Sequence, residues 1–389
     1  MTSPAPQSRP QVGPRPGPVP APSPAEPTGR RPRLAGIDIA RGLAIMGMFV
    51  AHLGDEGPGG GHDPAWFVLA DGRSASLFAL LAGVSLALTS GREKLPAGPA
   101  LRRARLATLA RAAVLLPLGW FLVGLGTPVA IILPAYAVLF VLALPFLGLR
   151  RRRLLLGAAV AATVSPALVA LVTTPTVAGP SLASRLSGVA DPVHLPGDEL
   201  VTGYYPALVF LAYVLAGLAV GRTDLTRRRT QLALVGGGAA LAAAAWGTSR
   251  LALDAAGPSA SPLVRQLLSG EAHSDATLEV LGNIGTALAV IGLCLLLTRP
   301  GAAGRAAGAV LSPVAAAGAM SLSVYTGQIL VIFVLGDQVV WSPVSNAVLV
   351  WFVVVALAAA WTWRRFLGRG PLERLLHAAA TAAVGPRPH

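Results

Sequence analysis

Three residues with chemically active side chains lie in one apolar segment near the start of the chain. The stretch GIDIARGLAIMGMFVAHL, residues 36–53, contains Asp38, Arg41 and His52. In a helix, Asp38 and Arg41 are three residues apart and can form an ion pair. Arg41 and His52 are eleven residues apart, so they share one helical face and lie about 16 Å apart along its axis. Because an imidazole titrates near neutral pH, His52 is suited to general acid–base chemistry.

A second polar group interrupts the start of the next apolar segment. The stretch DGRSAS contains Asp71 and Arg73, and the preceding loop GDEGPGGGHDPAW contributes His62. In one interpretation, Arg41 extends to the membrane interface beside its aspartate and His52 merely ends its helix. Charged groups inside a membrane segment are costly, however, and usually face a bundle interior or a water-filled cavity. The shared helical face and the cost of an unneeded Asp71–Arg73 pair therefore favour a function for these residues.

The elements that must position these residues are membrane helices. The chain has 389 residues, of which 54% are hydrophobic and 12% charged, against about 25% charged in soluble domains. About 20 apolar residues cross a bilayer, and the apolar runs here do not alternate as barrel strands would. The sequence therefore predicts an all-α, polytopic membrane helix bundle. Its ten predicted transmembrane helices cover residues 35–53, 66–90, 106–125, 129–149, 153–173, 204–221, 231–249, 277–297, 315–335 and 346–363.

The net charge of +14 indicates topology and does not indicate a nucleic-acid partner. Of the 31 basic residues, 25 fall at the N-terminus, the C-terminus or in alternate loops on one side of the predicted bundle. Cytoplasmic loops carry such an excess of basic residues, so both termini are predicted to be cytoplasmic. The clusters form no continuous basic face, which excludes nucleic-acid binding.

Three regions follow from this pattern. Residues 1–33 are a Pro-rich segment with ten prolines among the first thirty positions, which predicts a disordered cytoplasmic tail. Residues 34–364 form the ten-helix membrane domain, and residues 365–389 form a basic cytoplasmic C-terminal tail. No histidine pair has the spacing of a metal site, and no phosphate-binding glycine loop occurs, so no metal is expected.

Several stretches resemble one superfamily, the transmembrane acyltransferases. The first segment, with its Arg41–His52 spacing, is similar to the first helix of the acyltransferase-3 branch. The HDPAW loop before LADGRSASLF resembles the heparan-α-glucosaminide N-acetyltransferase branch, in which a loop histidine is the proposed catalytic residue. The resemblance covers nearly all of the chain after residue 33. Four later stretches resemble the YeiB-like branch: DGRSASLFALLAGVSLAL, GYYPALVFLAYVLAGLAVGR, GAMSLSVYTGQILVI and WRRFLGRGPLERLL.

The resemblance implies that an acyl group, most simply acetyl from acetyl-CoA or another acyl-CoA, moves to a hydroxyl or amine. His52 is then the first candidate for the general base and His62 the second, and either imidazole could instead accept the acyl group covalently. Asp38 and Arg41 would bind the co-substrate at a cytoplasmic donor entrance. Arg73 would stabilise the oxyanion or position the acceptor, with Asp71 orienting it. Weaker candidates for the wall of a passage between donor and acceptor are Glu279, Asn283, Tyr325 and Gln328.

The expected setting is the plasma membrane, with the lipid bilayer, an acyl-CoA and an extracytoplasmic glycan, lipid or small molecule as partners. Two other functions stay open. In a secondary transporter the same polar groups would bind a solute or relay protons. A non-catalytic membrane scaffold would need none of them. The acceptor, the acyl chain, the choice between His52 and His62, and homo-oligomer formation also stay open.

Overall fold

The protein is a helical bundle. A computed structural model describes residues 34–54, 67, 70–173, 198–201, 203–341 and 345–385. Within these ranges the chain forms helices and no β-strand, so the all-α prediction is confirmed. The principal helices are α1 Ala35–Leu53, α2 Arg73–Thr89, α3 Gly98–Val123, α4 Leu133–Ala143, α5 Arg151–Thr173, α6 Ala207–Gly221, α7 Arg228–Ala256, α8 Thr277–Leu297, α9 Ser312–Ala319, α10 Ser321–Leu335, α11 Ala347–Phe366 and α12 Pro371–Val384. Shorter helices are Asp198–Val201, Pro262–Leu268, Ala302–Val310 and Gln338–Trp341, and a 3₁₀ turn, Leu144–Gly148, extends α4.

Six of these helices are long and apolar enough to cross a membrane: α1, α3, α5, α7, α8 and α11. The pair α9–α10 adds a seventh if its two parts are taken as one bent span. Three shorter apolar helices occupy the other predicted segments, namely α2, α6 and α4 with its 3₁₀ turn. The protein is thus a multi-pass membrane protein, whereas the count of ten spans and the side of the termini stay predictions.

Helix α1 lies at the centre of the bundle. It packs against α2, α8, α9, α10 and α11, and its inward residues, such as Ile45 and Phe49, are almost completely buried. Close helix contacts depend on glycines, since a Cβ at Gly42 would overlap the carbonyl oxygen of Val314 in α9. Small residues at such crossings are typical of membrane helix packing. The two ends of α1 are called below the Asp38 end and the His52 end.

A sharp break divides the segment that the hydropathy pattern shows as one span. Helices α9 and α10 meet at Met320 with an angle of 86° between them. Helix α9 crosses the Asp38 end of α1, where Gly318 lies against the backbone carbonyl of Asp38. Helix α10 then carries Gln328 to the His52 end. The bent pair therefore contacts both ends of α1.

Candidate functional site

A cavity of about 300 Å³ lies at the His52 end of α1. It is formed where α1 ends, α2 begins, and the chain enters α6 and α8. His52 and Asp71, both predicted site residues, line this cavity together. Its other polar lining residues are Ser74, Tyr204, Tyr205 and His273.

His52 faces the interior of the bundle. Its Nδ1 atom lies 3.0 Å from Nε2 of Gln328 in α10, and Gln328 is only 3% exposed. With the amide in this orientation, Nε2 of Gln328 donates to Nδ1, and the imidazole proton is on the other ring nitrogen. In the opposite amide orientation, the Gln328 oxygen accepts from Nδ1–H, and the free lone pair of the imidazole is then on His52 Nε2. The second arrangement is the one that a general base requires.

A second histidine pairs with the predicted aspartate. His273 Nε2 lies 2.9 Å from Asp71 Oδ1 and 3.2 Å from the hydroxyl of Tyr204. Burial opposes the charge on each partner, but their mutual hydrogen bond and attraction dominate. The pKa of Asp71 is therefore held below its ordinary value, and the pKa of His273 is raised. The pair thus favours an imidazolium beside a carboxylate.

Glu279 at the start of α8 holds the loop that carries His273. Its carboxylate accepts from the backbone N–H groups of His273 and Asp275, at 3.0 and 2.7 Å. Both loop residues have positive φ, 62° and 51°, which costs free energy for residues other than glycine. Burial, followed by repulsion from Glu279, raises the pKa of Asp275 to about 7, although His273 opposes the shift. Further bonds to the Glu279 carboxylate come from Ser274 and Asn283.

Arg73 lines a second cavity, next to the one at His52. This second cavity, of about 610 Å³, is also lined by Asp71, which therefore borders both cavities. The guanidinium carbon of Arg73 lies 4.7 Å from the centre of the Trp246 ring, a cation–π contact. Charged and aromatic groups thus surround this space. The remaining polar lining residues are Ser249, Arg250 and Glu271.

The predicted pair at the other end of α1 is present. Arg41 Nη1 donates to Asp38 Oδ1 at 2.9 Å, and Nη2 donates to Ser85 Oγ of α2 at 2.6 Å. Arg41 therefore faces a neighbouring helix. On the same face of α1, Ile45 and Met48 lie between Arg41 and His52, and both are buried. Packed side chains thus occupy this face between the two ends, and Met48 also lines the His52 cavity.

The other predictions have different outcomes. His62 lies outside the described residues, so its role stays a prediction. Gln328, proposed as part of a passage wall, contacts His52 directly. His273 was not among the predicted site residues, because it is 202 residues from its partner Asp71 and lies in no recognisable local motif. In the described part of the chain, no group of three or more His, Cys, Asp or Glu side chains is placed to hold a metal ion.

Two family models match the chain. The catalytic family of heparan-alpha-glucosaminide N-acetyltransferase matches residues 33–253, which is more than half of the chain. A family of unknown function, DUF418, matches residues 224–383, and this is the YeiB-like family. No curated protein and no solved structure matches the chain significantly. The match to the first family confirms the resemblance in the sequence and includes His52, Asp71 and Arg73. The chain belongs to the heparan-alpha-glucosaminide N-acetyltransferase catalytic family.

Proposed function

We propose that the protein is a plasma-membrane acetyltransferase. It would move acetyl from cytoplasmic acetyl-CoA to a hydroxyl or amine of an envelope glycan or lipid. Its ten helical segments would all cross the bilayer, with both termini in the cytoplasm. Family membership supports a membrane acetyltransferase. One observation supports the proposed site more than any other: His52 and the Asp71–His273 pair line a single cavity.

His52 would be the general base. Its partner is the neutral amide of Gln328, which stabilises the charged imidazole less than a carboxylate would. The acceptor O–H or N–H would give its proton to His52 Nε2 while its oxygen or nitrogen attacks the thioester carbonyl carbon. The tetrahedral intermediate would then collapse, the carbon–sulfur bond would break, and the thiolate of CoA would take the proton from His52. The products are the acetylated acceptor and free CoA.

His273 would stabilise the oxyanion. Asp71 favours its imidazolium form and occupies its Nε2–H, which leaves Nδ1–H as a donor. A fixed positive donor facing the same cavity is suited to the negative charge that develops on the carbonyl oxygen. Arg73 would then take the second role predicted for it, that of positioning the acceptor in the neighbouring cavity bordered by Asp71.

The donor would bind toward the Asp38 end of α1. Arg41 would attract the phosphates of CoA, and the pantetheine arm would extend toward His52. Because Ile45 and Met48 are both buried between these residues, the arm must displace both side chains. Methionine is suited to this movement, since its unbranched side chain adapts readily to a new neighbour.

Membranes supplied with radiolabelled acetyl-CoA test the proposal. General acid–base catalysis contributes about 10²- to 10⁴-fold, so His52→Ala should lower acetyl transfer by at least about 100-fold. His377→Ala is the matched control, because His377 is an exposed histidine on α12 outside the cavity. The acceptor is identified by comparing the glycans and lipids of cells with and without the protein for a mass difference of one acetyl group.

The same variants separate the rival functions. If His52→Ala abolishes uptake of a solute into vesicles and the unmodified protein never transfers label, the protein is a transporter. If alanine at both His52 and Arg73 leaves the cellular phenotype intact, the scaffold function holds and the enzyme proposal fails.

A further inference from the structure

The C-terminal motif GPLE, residues 370–373, contacts the start of α10, the helix that carries Gln328 to His52. Glu373 Oε1 accepts from the backbone N–H groups of Leu322 and Ser323, at 2.8 and 3.1 Å. Glu373 Oε2 accepts from the Ser323 hydroxyl at 2.6 Å. The Ser323 hydroxyl oxygen accepts in turn from the N–H of Leu372 at 3.2 Å. The motif thus forms hydrogen bonds with Leu322 and Ser323, the second and third residues of α10.

The start of α10 needs such a partner. The first N–H groups of a helix have no acceptor within the helix. At the break, Met320 precedes α10 and supplies no side-chain cap. A carboxylate suits this position, because it accepts these hydrogen bonds and interacts favourably with the helix dipole. Here the carboxylate comes from a residue 50 positions later in the chain.

Three of the four positions of the motif have a physical reason. A Cβ at Gly370 would lie 2.8 Å from the Ser323 hydroxyl oxygen and would overlap Glu373 Oε2. Only glycine leaves room for the carboxylate there. Pro371 begins α12 at a position where its missing N–H costs nothing. Glu373 then lies in the first turn of α12 and reaches α10.

The capped end of α10 and the partner of His52 lie on the same helix. Gln328 lies five residues after Ser323 on the same helix, about 7.5 Å along its axis. Because Ser323 and Gln328 belong to one continuous hydrogen-bonded helix, a shift or rotation of its first turn would also displace Gln328. Gln328 supplies the hydrogen bond to His52 Nδ1, and this bond decides which imidazole nitrogen carries the proton.

We propose that Glu373 is a positioning residue for His52. Its carboxylate holds the first turn of α10 at the break, and α10 in turn holds the Gln328 amide against the imidazole. The link between Glu373 and α10 rests on geometry alone, whereas its catalytic consequence rests on the function proposed above. The C-terminal segment therefore sets the geometry of the site from a distance.

A cysteine reporter on α10 tests the link without any activity measurement. In the full-length protein with Cys294→Ala, Gly327→Cys places a thiol beside Gln328, where an added Cβ meets no atom within 4 Å. We expect Glu373→Ala to change the rate at which a membrane-permeant reagent labels this introduced thiol at least about threefold. Glu373→Gln keeps a carbonyl oxygen for the two N–H groups and should remain close to the parent. Glu93→Ala removes an exposed glutamate elsewhere and should have no effect.

Kinetics test the consequence. Glu373→Ala, in a protein that retains Gly327, should lower kcat for acetyl transfer at least tenfold with little change in the KM for acetyl-CoA, and Glu373→Gln should restore most of it. If Glu373→Ala fails to accumulate, Ser323→Ala removes one partner and should act in the same direction with a smaller effect.

Each outcome is decisive. An unchanged labelling rate in Glu373→Ala, or in Ser323→Ala where that variant replaces it, overturns the link to α10. A changed labelling rate with unchanged kcat overturns the role in positioning His52. If the unmodified protein transfers no acetyl group at all, the proposed function fails, and with it the positioning role, while the labelling result still decides the link.

Discussion

Replacing Asp71 by asparagine tests the charge pair in the candidate site. The variant keeps the size of the side chain but removes the carboxylate that lies 2.9 Å from His273 Nε2. The two side chains are 31% and 27% exposed, so solvent weakens their attraction. A charge-assisted hydrogen bond contributes about 1.5–3 kcal/mol when well shielded, and exposed pairs contribute about 1 kcal/mol or less. We therefore expect Asp71→Asn to lower the free energy of unfolding by about 1 kcal/mol.

The pH dependence of this loss follows from the two pKa shifts. The pKa of His273 is raised in the folded protein, so its contribution is complete below the unfolded pKa of about 6.5. That contribution is lost as the pH rises through the folded pKa. The pKa of Asp71 is lowered, so its contribution is present above about 3.9 and is lost as the pH falls through the folded pKa. Both groups are charged between these limits, and the effect of Asp71→Asn should be largest near pH 5–6 and smaller at pH 8.

The single cysteine of the chain provides the assay. Cys294 is buried, so a thiol-reactive dye reports its exposure during thermal unfolding in detergent. The apparent Tm of Asp71→Asn is compared with that of the unmodified protein from pH 5 to 8. Asp254→Asn is the control, because Asp254 is exposed. A Tm difference that stays constant over this range would refute the assignment of a charged pair to Asp71 and His273.

Two further variants test the packing of α1 and the route of the donor. Gly318→Leu forces a side chain into the carbonyl oxygen of Asp38 and should lower the free energy of unfolding by about 1–3 kcal/mol. The apparent Tm measures this loss, and Gly327→Ala, whose added methyl group meets open space, should leave the Tm unchanged. Met48→Trp places a larger side chain on the face between Arg41 and His52 and should raise the KM for acetyl-CoA several-fold in the membrane transfer assay. An unchanged KM would exclude this face as the route of the pantetheine arm.

The all-helical membrane architecture was predictable from the sequence because each membrane helix is encoded locally. An apolar run has to satisfy its own backbone in lipid, so its length and composition suffice to locate a helix. Helix α1 begins and ends where the pattern predicts, at Ala35 and Leu53. The break at Met320 was not predictable, because the segment from Ser312 to Leu335 has no charged residue and no proline at the break. The contacts beside the break, of Gly318 with Asp38 and of Ser323 with Glu373, join distant parts of the chain.

The candidate site was predictable only where its residues share an element. The Asp38–Arg41 pair follows from a spacing of three residues, and the structure contains it. By contrast, Asp71 had an arginine two positions away as its expected partner, and the histidine that it contacts is 202 residues distant. Ion pairing across a bundle depends on which loops meet at one end, and single-sequence periodicity carries no information about that.

The two imidazoles of the cavity differ in the elements that hold them as well as in their partners. His52 lies on the central helix and is held by a buried amide on another helix, so its position is determined by packed helices. His273 lies on a loop with two positive-φ residues, and the Glu279 carboxylate holds that loop in place. A general base has to be aligned closely with the proton that it removes, and an oxyanion donor has to be fixed at hydrogen-bond distance. Both imidazoles are held, so their partners decide their roles: the neutral amide of Gln328 leaves His52 to accept a proton, whereas the carboxylate of Asp71 favours the charged form of His273.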